Sequence, residues 1–279
     1  MGLCGAIAAG GIALAGCGAS STLDPVAQAA DVTAQLPGAQ VSLTEALSGT
    51  GLPAGTTFTA TGYVNQHSHA TLLHADLSNL PGISQLGAGA GNATVEIVYP
   101  DLYESLPALA GKLPDGKTWL KLDLAQLAAS QGVSSSAFSS GGLDPSEFLS
   151  FLRASGSTLT KLGPATINGV ATTHYHTVIQ YSKIPGAMPA SQRSSMSAAV
   201  ASLEKATGAT SLPIDVWVDS QHRVRREQFS LSITTQGKAL GVSAQVNYVS
   251  FGPTAAIVPP PADSVYDLTP TVLAEASGS

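Results

Sequence analysis

Leu212-Pro213-Ile214-Asp215-Val216-Trp217-Val218-Asp219 sends leucine, isoleucine and two valines to one side of an extended chain, and proline, tryptophan and two aspartates to the other. A period of two belongs to a half-buried β-strand, because successive side chains leave opposite faces of the pleat. The following Asp219-Ser-Gln-His222 is rich in turn-forming residues. Alternation then resumes over Val224–Thr234.

Working outward, the same period recurs in Thr56–Asn65, Ala70–Leu77, Ala93–Tyr99, Thr158–Ile167, Val170–Tyr181 and Leu240–Phe251. It is also clear where Leu120, Leu122 and Leu124 alternate with Trp119, Lys121 and Asp123. Asn168-Gly169 joins two of these runs and is a strong hairpin cue, since both turn positions must accept positive φ. Connections this short leave no room for crossover helices, so the pattern predicts an antiparallel meander.

Helical patterns interrupt the strands. Pro25–Gln35 follows Asp24 as N-cap, with proline at the first helical position. Asp144-Pro-Ser-Glu147 opens a second helix with an N-cap and a capping-box glutamate, and Phe148, Leu149, Phe151 and Leu152 give it an apolar stripe. Residues 189–207 make a longer helix carrying Met196, Val200 and Leu203, and Leu124–Ser130 a short one. The fold class expected is α+β: a large curved antiparallel sheet with helices covering one of its faces. The prolines at 259–261 mark the expected end of regular structure.

Composition narrows the function. Of 279 residues only 11% are charged, the net charge is −6, and mean hydropathy is +0.21. Ordinary soluble domains carry roughly 25% charged residues, and disordered chains combine low hydrophobicity with high charge, so this chain is neither highly charged nor disordered. No basic cluster is denser than Arg223, Arg225 and Arg226, which excludes nucleic acid as a partner.

Both cysteines, Cys4 and Cys17, lie within the first seventeen residues. The body therefore holds neither a disulfide nor a cysteine-ligated metal. Residues 1–17 are apolar, too short to span a bilayer as a helix and sized like the core of a secretory signal. No Lys or Arg precedes that apolar run, a departure from a basic signal start that places the true start upstream of Met1 or makes export inefficient. Leu14-Ala15-Gly16-Cys17 resembles the lipobox of bacterial lipoproteins, which implies diacylglyceryl transfer to the Cys17 sulfur and cleavage before it. Each buried methylene contributes about 0.8 kcal/mol, so two or three acyl chains hold a protein on a membrane where one does not. The domain plan is a signal peptide at 1–16, the lipidated Cys17 and a tether to 24, one domain over 25–270 and a C-terminal tail over 271–279. The location expected is the extracytoplasmic face of the cell membrane.

Motifs for catalysis or cofactor binding fail on context. Gly111-Lys-Leu-Pro-Asp-Gly116-Lys117-Thr118 satisfies the Walker A pattern. A phosphate-binding loop must open a helix, whereas this one leads into an alternating strand and reads as a turn through Pro114-Asp115-Gly116. His67/His69 and His174/His176 are His-x-His pairs that a strand would place on one face. No further ligand follows from the spacing, and they read as polar residues of a solvated face. There is no Gly-x-Ser-x-Gly elbow. Asp215 and Asp219 read as solvated acids on the outer face of one strand. The expectation is a protein that is not an enzyme and holds no cofactor or metal.

Four stretches carry a family likeness: Leu113-Pro-Asp-Gly-Lys-Thr-Trp-Leu-Lys-Leu-Asp123, Asp144-Pro-Ser-Glu-Phe-Leu-Ser-Phe-Leu-Arg153, Ile167-Asn-Gly-Val-Ala-Thr-Thr-His-Tyr175, and Leu212–Asp219 with Arg223-Val-Arg-Arg226. Their order and spacing, over about residues 93–251, resemble actinobacterial exported lipoproteins of LolA/LolB-like fold, related to the LppX/LprG lipid carriers. The resemblance implies an antiparallel half-barrel whose apolar cavity takes a lipid or other apolar small molecule. It also implies an alternative, an RseB-like envelope sensor with a protein partner, or a structural lipoprotein without ligand. Strand parity and helix faces nominate Leu120, Leu122, Phe148, Leu152, Tyr175, Ile179 and Val216 as cavity-lining residues.

Overall fold

The computed structural model describes residues 24–49, 51–87, 89–109, 111–130, 159–187, 190, 193–235 and 238–277. Cys4, Cys17 and the expected helix with Phe148 and Leu152 lie outside the described residues. Within them, every alternating stretch is a strand of one sheet. The strands are β1 (Gly38–Gly49), β2 (Thr56–Asn65), β3 (Ala70–Asp76), β4 (Asn92–Val98), β5 (Asp101–Ser105) and β6 (Trp119–Asp123). The second set is β7 (Thr160–Ile167), β8 (Val170–Gln180), β9 (Ser211–Asp219), β10 (Val224–Thr235), β11 (Lys238–Phe251) and β12 (Val265–Asp267).

Their spatial order is β12-β6-β5-β4-β3-β2-β1-β11-β10-β9-β8-β7. Two meanders, β1 to β6 and β7 to β11, are thus joined side by side through the antiparallel β1–β11 pair. The sheet is open, a curved half-barrel with β12 and β7 as its edges. The one parallel pairing, β12 with β6, arises because β12 arrives by a long excursion from β11 at the middle of the sheet, so no hairpin dictates its direction.

Helix α1 (Asp24–Ala34) packs on β9 and β10. Ala29 and Ala30 are fully buried, and their small side chains let the helix sit close to the sheet. The Thr33 hydroxyl donates to the Ala29 carbonyl at 2.6 Å and accepts the Val224 backbone N–H at 2.9 Å, tying the last turn of α1 to β10. Under this helix lies the core, with Val26, Val41, Val64, Ile214, Val216, Val224 and Tyr248 each at most 1% exposed.

The described fold is completed by α2 (Leu124–Ser130), by α3 (Arg193–Thr207), which packs against β10 and a one-turn helix at Ile184–Ala187, and by α4 (Thr269–Ser277), which packs against α2 and β6. None of the described helices is long and apolar enough to cross a membrane. The expectation that regular structure stops at the prolines is corrected by β12 and α4. Prolines cannot donate to a ladder, but beyond them the backbone regains its N–H groups. Thr118 donates to the Ser264 carbonyl and Leu268 to the Lys121 carbonyl, stitching the returning chain to β6.

Candidate functional site: the inner face of the sheet

Antiparallel partners share a face, so the register traces rows of side chains across the sheet. One row runs Tyr248, Val41, Gly62, Leu73, Val95, Glu104, Leu120 from β11 to β6. Beside it run Phe251, Ala39, Val64, Thr71, Ile97, Leu102 and Leu122. Both rows start in the core beneath α1, which identifies this as the inner face. Over Ile214–Val218 of β9, the start of β10 and the adjoining ends of β1, β2 and β11 the face is buried. Toward β5 and β6 it opens, with Val95, Leu102, Leu120 and Leu122 only half-buried.

Two carboxyls interrupt the apolar surface. Glu104 stands between Val95 and Leu120, and Glu45 between Phe58 and Ala244. Burial, with no compensating bond among the described residues, holds both above the usual carboxylate range. A third glutamate of this face, Glu227, is buried between Val216 and Val246.

The residues nominated from sequence divide by position. Val216 at 1% exposure and Ile179 at 4% belong to the packed core, and Tyr175 is half-buried against it. Leu120 and Leu122 lie in the open rows on β6, at the far side of the sheet from Tyr175 on β8. The structure does not bring the two groups together. Sequence reading missed Val95, Leu102, Glu45 and Glu104. Glu45 and Glu104 interrupt the apolar sides of their own strands, and their inward direction emerges only from the register.

The outer face carries the polar residues. His174 Nε2 and His176 Nδ1 donate to the same oxygen, Asp215 Oδ1, at 2.7 and 3.1 Å. His174 stacks on Trp217 at 4.2 Å, the Arg226 guanidinium lies over the same indole at 5.4 Å, and Arg226 Nε donates to Asn247 Oδ1 at 2.7 Å. Among the described residues no group of three His, Cys, Asp or Glu is arranged to hold a metal. The second pair lies in the β2–β3 turn, where His67 and His69 are exposed.

Asp219 corrects the reading of two solvated acids. Its side chain is 2% exposed and takes Arg225 Nε at 2.7 Å and Arg223 Nη2 at 2.8 Å on Oδ2. The backbone N–H groups of Gln221 and Arg223 bind Oδ1. Burial opposes its ionisation, but these arginine and backbone bonds outweigh it and hold the carboxyl below its usual range. The acid closes the β9–β10 hairpin on itself, which a two-residue period cannot reveal. The Walker-like segment forms a turn at Pro114–Gly116 and enters β6, as its context requires. A shallow cleft of about 400 Å³ beside β4 is lined by polar residues, among them His74, Asp76, Asn92 and Thr94.

No family model matches the chain, and none of the curated proteins matches it. Among solved structures it is similar to lipoprotein LppX of Mycobacterium tuberculosis, at 14% identity and a TM-score of 0.46, over 85% of this chain and 98% of that one. It is similar to LprF of Mycobacterium bovis at 12% identity and a TM-score of 0.41, over 86% and 96% of the two chains. A LolA superfamily protein of Nitrosomonas europaea follows at 10% identity and a TM-score of 0.30, over 81% and 93%. The likeness is one of sheet-and-helix architecture.

Proposed function

We propose that the protein is an extracytoplasmic lipoprotein, anchored through an acylated Cys17, that binds a lipid or other apolar molecule on the inner face of its sheet. The observation that carries the binding is the half-open apolar surface of Val95, Leu102, Leu120 and Leu122, continuous with the core yet outside the reach of α1. Folding without a further purpose would bury these side chains, since each square ångström of apolar surface removed from water contributes about 25 cal/mol. An alkyl chain laid along the rows gains the same term and needs no catalytic group. The anchor rests on the lipobox-like Leu14-Ala15-Gly16-Cys17.

Native mass spectrometry of protein purified without detergent, followed by solvent extraction, tests the reading. Apolar ligand recovered in proportion to protein, and rebound after extraction, supports it. Protein that stays ligand-free when offered alkyl-chain amphiphiles refutes it.

A further inference from the structure

We propose that Glu45 and Glu104 make the inner face selective for amphiphiles whose polar end donates hydrogen bonds and bears no negative charge. This rests on the reading of that face as the ligand surface and names the class of ligand it takes. By register, the inner positions of β1 to β6 are Ala, Val, Leu, Ile, Phe, Gly and Thr, interrupted by these two glutamates alone. No lysine, arginine or histidine shares those positions. Lys121, the cation of β6, lies in the row of Tyr103 on the other face and pairs with Asp101 at 3.1 Å.

Neither glutamate has a hydrogen-bond or ion-pair partner among the described residues. A half-buried carboxyl flanked by apolar side chains is partly desolvated and gains no bond in return. A surface that held alkyl chains by area alone would be better served by leucine at both positions. The missing partner is therefore supplied by the ligand, as an ammonium or hydroxyl donor. A carboxylate or phosphate head would meet like charge in a half-buried setting, where repulsion is poorly screened. Four strand spacings, roughly 19 Å along the sheet, separate β1 from β5, so the two carboxyls form separate anchor points rather than one shared site.

The test uses three probes with one alkyl chain: dodecylammonium, dodecyl maltoside and dodecanoate, titrated calorimetrically into the full chain carrying Cys17→Ser at neutral pH. The expected result is that the ammonium and the maltoside bind at least about tenfold more tightly than dodecanoate. In Glu45→Gln/Glu104→Gln the three converge to within about twofold. The neutral maltoside separates a specific preference from attraction to the net negative chain, and Asp263→Asn, an exposed acid, leaves the preference unchanged. Should the double variant fail to fold, each single variant is expected to lose part of the discrimination. Equal binding of all three probes by the parent, or a preference that survives both substitutions, overturns the selectivity while leaving the ligand surface intact. Binding of none of the probes overturns the ligand surface itself and the selectivity with it.

Discussion

Asp219 and Glu104 show how a carboxyl group takes opposite roles on the two faces of one sheet. Asp219 is buried with its charge fully bonded, and breaking such a pair leaves an arginine stranded. Asp219→Asn is expected to destabilise the fold by about 3 kcal/mol in denaturant titration. Because its folded pKa is lowered, its contribution is present above the unfolded value and is lost as pH falls through the folded one. Glu45 and Glu104 have the opposite sign. Their folded pKa values are raised, so the stability they allow is complete below the unfolded value and is lost as pH rises through the folded one. Glu104→Gln should therefore raise the melting temperature at pH 7 relative to the parent, with the gain shrinking to nothing under acid conditions where both forms are neutral. Gly62 is constrained by space. A Cβ there would lie 1.9 Å from the Leu72 carbonyl oxygen of the neighbouring strand. Gly62→Ala is expected to cost about 2 to 3 kcal/mol, since backbone must move to admit it.

At the scale of elements, the two sheet edges are protected differently. β7 ends the sheet with Pro164 and a register irregularity between Lys161 and Gly163, both of which discourage pairing with another chain. β6 is protected by β12, and α4 packs beside it, held by the Thr269 hydroxyl, which accepts the Asp123 N–H at 2.9 Å. Deleting residues 262–279 uncovers β6 as a flat edge. Size-exclusion chromatography of the truncated chain should show concentration-dependent association that the full chain lacks, and a truncated chain that remains monomeric would show that β12 does not serve as an edge guard. Most of these elements were legible in sequence because their side chains alternate: β2, β9 and β10 fall within a residue of the expected bounds. β1, β5 and β12 were not among the expected strands: Glu45 and Glu104 interrupt the apolar sides of β1 and β5, and the three residues of β12 carry too little period to separate a strand from a turn.

On the proposed reading, the whole molecule couples an acyl anchor at Cys17 to an apolar surface that is only partly covered among the described residues. Cys17→Ser is expected to move the protein from the membrane fraction to the soluble one and to abolish labelling by a palmitate analogue. Retention in the membrane fraction with no label would mean that something other than an acyl chain holds it. The sequence by itself determined most of the strands and their turns, the α+β class, the low charge and the place of the cysteines. These are local properties, set by a period of two, by turn chemistry and by composition. Tertiary structure decided that β1 pairs with β11, about 200 positions away, which no local pattern encodes. It likewise decided which apolar residues are spent on the core, as Ile179 and Val216 are, and which stay open, as Leu120 and Leu122 do. Alternation tells which side chains share a face of one strand. Only pairing between distant strands tells what that face meets, and so where Glu45 and Glu104 stand without partners among the described residues.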